Sequence, residues 1–212
     1  MTTTTSSALG DLDILSVYFN DSADTLGEII VSLMAPQDQL AARTVYFIDA
    51  MDRFPLNKFR EKLPPRTEPE IYDRIRVIVC LDMQELATLV QKLVQTAQRD
   101  RIASQVGSGA HQGRVIIILN GLEIMFRNSS LRSAVQAHAV LKDCMLRLRT
   151  AGNASSEFRT LVVFPADQNS QISATDQNQA KSALPRKRPK RNSAEGNPFS
   201  TYLCKYYADC IL

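Results

Sequence analysis

The chain has 212 residues, 44% of them hydrophobic, and 25 Lys/Arg against 22 Asp/Glu, a formal net charge of +3. That length and apolar content suit one domain of moderate size with room for a polar segment, and so mild a charge names no partner by itself. The longest apolar runs fall far short of the roughly 20 residues that cross a bilayer, and MTTTTSSALG at the start has neither the basic nor the apolar region of a secretory signal.

Residues 1–10 read as a disordered polar tail and residues 11–212 as a single domain. Asp11 to Phe19, DLDILSVYF, fits a short strand. TLGEIIVSLM predicts a helix with Thr25 as its N-cap and Glu28 three residues on, the capping-box spacing, with Leu26, Ile29, Ile30 and Leu33 on one face. TVYFID, Thr44 to Asp49, is a buried strand, and FPLNKFREKL a short helix stopped by Pro64-Pro65. IRVIVC, Ile75 to Cys80, is the next strand. Asp82 then caps a helix with Glu85 at its third position and an apolar stripe of Met83, Leu86, Val90, Leu93 and Val94.

The loop QVGSGAHQG leads into RVIIILNGLEI, Arg114 to Ile124, whose continuous β-branched run, ending in Asn120 and then Gly121, marks a strand buried on both faces of a parallel sheet. Leu131 to Arg149 predicts a long amphipathic helix with Val135, His138, Leu141, Met145 and Leu148 inward, which makes His138 a core histidine. TLVVFP, Thr160 to Pro165, is a further strand. Strand and helix alternate through residues 44–165, which argues for an α/β fold: a mostly parallel sheet flanked by helices. Residues 166–198 then lose all apolar periodicity and read as a long flexible loop. Aromatic character returns with FSTYLCKYYADCIL, which fits a last strand or hairpin closing the sheet.

Chemistry is sparse. Cys80, Cys144, Cys204 and Cys210 form no CxxC pair, and with His111 and His138 they have no zinc spacing, so no metal is expected and the thiols read as reduced and largely buried in an intracellular protein. GSGAHQG precedes a strand and lacks a lysine, whereas a phosphate loop follows a strand and opens a helix; it reads as a flexible connection. Asp49 and Asp52 fall at the carboxyl edge of the sheet, where α/β proteins bind ligands, but no phosphate cradle, nucleophile or positioned base accompanies them.

The strong feature is PRKRPKR. Arg186, Lys187, Arg188, Lys190 and Arg191 put five positive charges into six residues of the long loop. Such a cluster fits a DNA-binding patch that contacts phosphates without reading sequence, or a nuclear import signal, or both. No nearby aromatic reads as placed for base stacking, and the expected location is the nucleus.

VYFIDAMDRF, RIRVIVCLDMQEL, RVIIILNGLEIMF, a long helix and TLVVFP, taken in that order, resemble the RecA-like core of the eukaryotic strand-exchange recombinases and their paralogues. In that family the first segment ends I-D-x-E-x-x-F, with Glu as catalytic base. Ile48, Asp49 and Phe54 match, and Met51 stands at the Glu position. Asn120 stands where the Walker B Asp belongs, and NDSADTLGE, without lysine, where the Walker A Gly-Lys-Thr belongs. Within the family the chain is most similar to the short Walker-less subunits of the Shu complex. The resemblance implies a non-catalytic subunit with no cofactor. Its partners would be single-stranded or forked DNA, a second RecA-like paralogue in a heterodimer, further mediator subunits and the recombinase, with no membrane. It implies a role in recombinase filament assembly, homologous recombination and error-free damage tolerance. In RecA-like proteins the loop after the TLVVFP strand is the second DNA-binding loop, where PRKRPKR falls. The competing expectation is a nuclear interaction scaffold whose basic run is only an import signal.

Overall fold

The computed structural model describes residues 12–20, 22–34, 43–65, 69–106, 113–166 and 198–212. Its strands are β1 (Leu15–Asn20), β2 (Arg43–Asp49), β3 (Ile75–Val79), β4 (Arg114–Asn120), β5 (Phe158–Pro165) and β6 (Cys210–Ile211). They form one sheet in the order β3-β2-β4-β5-β1-β6, and every pairing is parallel. The expected α/β class with a mostly parallel sheet flanked by helices is what the structure shows, and it is compatible with a RecA-like core. The helices are α1 (Ala23–Met34), α2 (Leu56–Lys62), α3 (Pro69–Asp73), α4 (Met83–Val106), α5 (Leu122–Ser130), α6 (Ala134–Ala154) and α7 (Pro198–Tyr206).

The two faces of the sheet carry separate cores, and period-two alternation in the strands feeds both. Ile48, Ile117, Leu119, Val162 and Phe164 pack under α4, α5, α6 and α7, with Met83, Leu86, Leu141, Met145 and Leu203. Val45, Phe47, Ile116, Ile118, Leu161 and Val163 pack under α1 to α3, with Ile30, Leu33, Phe59 and Ile71. This double burial explains the apolar middles of β2, β4 and β5, whose charged residues fall at or near the strand ends. β3 lies at the edge and is less covered; Val77 and Val79 on it are exposed.

Local chemistry sets the helix ends. Both oxygens of the capping box at α4 are used: Asp82 Oδ1 accepts the Gln84 and Glu85 amides at 2.9 Å, and Glu85 Oε2 accepts the Leu81 amide at 2.8 Å. At α1 the cap falls three residues earlier than expected. Ser22 precedes the helix and its Oγ accepts the Thr25 amide at 3.3 Å, while the Thr25 hydroxyl lies 3.2 Å from Asn20 Oδ1 as a donor.

The β-branched run ends where expected, with β4 stopping at Asn120; Gly121 then turns left-handed at φ 76° and α5 begins at Leu122. Two further expectations are corrected. The long helix begins at Ala134, with the Ser133 side chain accepting the Gln136 amide. Its buried stripe is Ala137, Leu141, Cys144, Met145, Leu148 and Ala151; Val135 is 82% exposed, and His138 lies on the exposed face. The C-terminal segment does supply the expected last strand, β6 beside β1, but only Cys210–Ile211 form it, and helix α7 rather than a hairpin precedes it.

Candidate functional site at the carboxyl edge of the sheet

In a parallel sheet all strands end on the same edge, so Asn20, Asp49, Asn120 and Pro165 finish near one another. Asp49 and Asn120 are direct neighbours in the β2–β4 register. Asp49 is fully buried and Asn120 is 5% exposed. A buried carboxylate needs donors, and Asp49 finds three within the chain. Asn120 Nδ2 donates to Oδ1 at 3.0 Å, the Met51 amide donates to Oδ1 at 2.9 Å, and the Arg53 amide donates to Oδ2. Backbone bonds reinforce the join: the Ala50 amide reaches the Asn120 carbonyl at 3.1 Å, and the Cys80 amide reaches the Asp49 carbonyl at 3.0 Å.

Asp49 thus shapes the turn that follows it. The turn carries Asp52 at φ 51° and ends in Phe54, whose ring meets Phe47 at 5.2 Å and Phe59 at 5.8 Å. Asp52 is exposed and is not drawn toward Asp49 by any contact found among the described residues. Gly121 sits directly against the same turn; a Cβ there would lie 3.0 Å from Ala50 Cβ and 3.3 Å from Met51 Cγ. Chemically this is a buried carboxylate held by three amide donors of the chain itself. On the β1 side, β1 ends at Asn20 and α1 begins at Ala23, so only two residues join strand to helix. The long segment after β5 starts from this edge too, where the Ala166 amide donates to the Asn20 carbonyl at 2.9 Å.

Arg186, Lys187, Arg188, Lys190 and Arg191 lie outside the described residues, as does GSGAHQ of the glycine-rich loop. Cys80 and Cys144 are buried, Cys204 and Cys210 partly so, and all four are free thiols. Burial pushes the Cys80 and Cys144 thiols up to about 12. Among the described residues there is no group of three or more His, Cys, Asp or Glu placed to hold a metal ion, and no helix long and apolar enough to cross a membrane.

The Asn120–Asp49 contact is the feature that sequence reasoning missed. Its partners are 71 residues apart, and only the shared strand-end position hinted at it.

Sheet order and strand ends together define an α/β protein with an all-parallel sheet, compatible with a RecA-like core, in which the strand-end carboxylate of Asp49 is bonded within the chain. The family model described as "Shu complex component Csm2, DNA-binding" matches residues 15–208, and the chain belongs to that family. It is 33% identical over 211 residues to chromosome segregation in meiosis protein 2 of Saccharomyces cerevisiae, covering 95% of this chain and 97% of that protein. The protein of the same name from Candida glabrata is 27% identical over 195 residues, covering 89% and 88%. That of Eremothecium gossypii is 29% identical over 176 residues, covering 78% and 83%.

Proposed function

We propose that this chain is a non-catalytic, DNA-binding subunit of a Shu-type recombinase-mediator complex, acting in the nucleus to promote recombinase filament assembly during homologous recombination and error-free damage tolerance. The observation that carries this reading is the match to the Shu complex family over residues 15–208. The strand-end chemistry supports the non-catalytic part. Magnesium needs anionic oxygen ligands, and at this edge Asn120 is neutral while both oxygens of Asp49 are engaged by donors from the chain itself. A two-residue turn before α1 leaves no room for the phosphate cradle of a G-x-x-x-x-G-K-[ST] loop.

DNA contact falls to Arg186, Lys187, Arg188, Lys190 and Arg191. These five charges lie on the segment that joins β5 to α7, whose β5 end is anchored on the carboxyl edge of the sheet. Phosphate contact by such a run is independent of sequence. The partner subunit is a second RecA-like paralogue, and function runs through protein contacts with it, with further mediator subunits and with the recombinase.

The test replaces all five basic residues with Ala in the native assembly and measures affinity for single-stranded, forked and duplex DNA. The reading requires weaker binding to all three. The competing reading, a scaffold whose basic run serves only nuclear import, requires unchanged affinity and full recovery of function when an unrelated import signal is appended.

A further inference from the structure

Six residues separate the end of the basic run, Arg191, from the start of helix α7 at Pro198. An aromatic file lies along it. Tyr202 and Tyr206, one helical turn apart, have ring centroids 5.0 Å apart. Lys205 Nζ lies 5.4 Å from the centroid of the Tyr206 ring. From helix α6, His138 meets Tyr202 edge-on at 6.0 Å and Phe126 at 4.8 Å. The file is anchored below: Tyr207 is 7% exposed, with its hydroxyl 3.5 Å from that of Tyr202. It is open above: Tyr206 is 58% exposed, and Lys205 and His138 are exposed too. An apolar packing helix would turn its rings inward. This one holds a row of rings 5.0 to 6.0 Å apart, with the Tyr206 and His138 rings and a cation left in solvent.

We propose that Tyr206, Tyr202 and His138, with Lys205, form a base-stacking platform for single-stranded DNA that continues the path of the basic run. Every base has a π-face, so an aromatic row beside positive charge holds single strands without reading sequence. Lys205 serves the adjacent phosphate while the Tyr206 ring takes a base. From Arg191 to Pro198 the chain spans at most about 24 Å when extended, and Tyr206 lies eight residues, about 12 Å, further along α7, so a strand of several nucleotides can bridge the two elements. Duplex bases are already stacked and gain nothing from the platform. The inference rests on the DNA-binding reading above, and adds to it the preference for single strands.

The experiment uses the native assembly with oligodeoxythymidylate and with duplex of equal length, comparing Tyr206→Ala, Tyr206→Phe and the five-alanine basic variant. The platform requires Tyr206→Ala to weaken single-strand binding by about fivefold or more, since loss of one stacked base is worth that much. Duplex affinity and the salt dependence should stay unchanged, and Tyr206→Phe should bind like the parent. Equal loss on single strand and duplex overturns the platform, as does unaltered single-strand affinity. Dissociation of the assembly with DNA affinity intact also overturns it and makes the row a protein contact. The basic variant separates the two ideas: weakened by it but indifferent to Tyr206, DNA binding stands and the platform falls; indifferent to it, the basic run itself falls.

Discussion

Asn120 Nδ2 donates to Asp49 Oδ1 at 3.0 Å, joining the ends of two strands that lie side by side. The pair occupies the strand-end position where the resemblance to active RecA-like cores implied a metal-binding Asp and a nearby catalytic Glu. Here an amide faces a carboxylate, and the proton donors come from the chain.

Replacing Asn120 with Leu removes one donor from a fully buried carboxylate and should cost about 1–3 kcal/mol of folding stability. Asn120→Asp should cost more, about 2–4 kcal/mol near neutral pH, because two carboxylates then share one dry site. The introduced carboxyl holds its proton more tightly folded than unfolded. Its destabilisation should therefore fade as pH drops toward about 4 and grow as pH rises above that. Denaturant melts across that range check both the size and the sign.

Gly121→Ala tests the same corner from the backbone. The residue sits at φ 76°, and the added Cβ would lie 3.0 Å from Ala50 Cβ. A loss of about 1–3 kcal/mol is expected, read as a lower Tm with native circular dichroism.

The strands were legible where burial left no alternative. β2, β4 and β5 carry apolar side chains to both faces, so their runs of Val, Ile, Leu and Phe read correctly. The failures share a cause: one residue or a distant contact overrode local pattern. The strand's end at Asn120 was readable, but the helix from Leu122 was not, because it depends on Gly121 adopting a left-handed conformation. Phe199, Tyr202 and Tyr206 have strand-like propensity, but Pro198 opens a helix and Leu203 anchors it in the core. Val135 fits a helical stripe by spacing and is still exposed, because the helix begins at Ala134 and its first turn runs past the core. Of the candidate site, the positions of Met51 and Asn120 were readable, and the mutual satisfaction of Asp49 and Asn120 was not.

Cys80 and Cys144 should resist alkylation in the native state, since burial holds both thiols protonated up to about 12 and the thiolate is the nucleophile. Cys204 and Cys210, partly exposed, should label first with iodoacetamide, and the buried pair only on unfolding. Because the folded chain keeps protons that the unfolded thiols lose from about pH 9 upward, stability should fall as pH rises from there toward 12.

Arg149 ties the C-terminus to α6. Its Nη1 donates to the Tyr207 carbonyl and its Nη2 to Asp209 Oδ1, each at 2.6 Å, while Asp209 Oδ2 accepts the Leu15 amide at 3.1 Å. Arg149→Ala should cost about 1–2 kcal/mol. Hydrogen exchange should accelerate first in β6 and the end of α7, with the central strands unaffected.

The central claim is that function has moved from the strand-end site to the basic run. Its most direct measurement is the salt dependence of DNA affinity for the native assembly, with and without Arg186, Lys187, Arg188, Lys190 and Arg191. If all five contact phosphates, replacing them with Ala should flatten the slope of log K against log salt by roughly 3.5 on single strands and 4.5 on duplex. Parent and variant lines of equal slope and equal height would contradict the account.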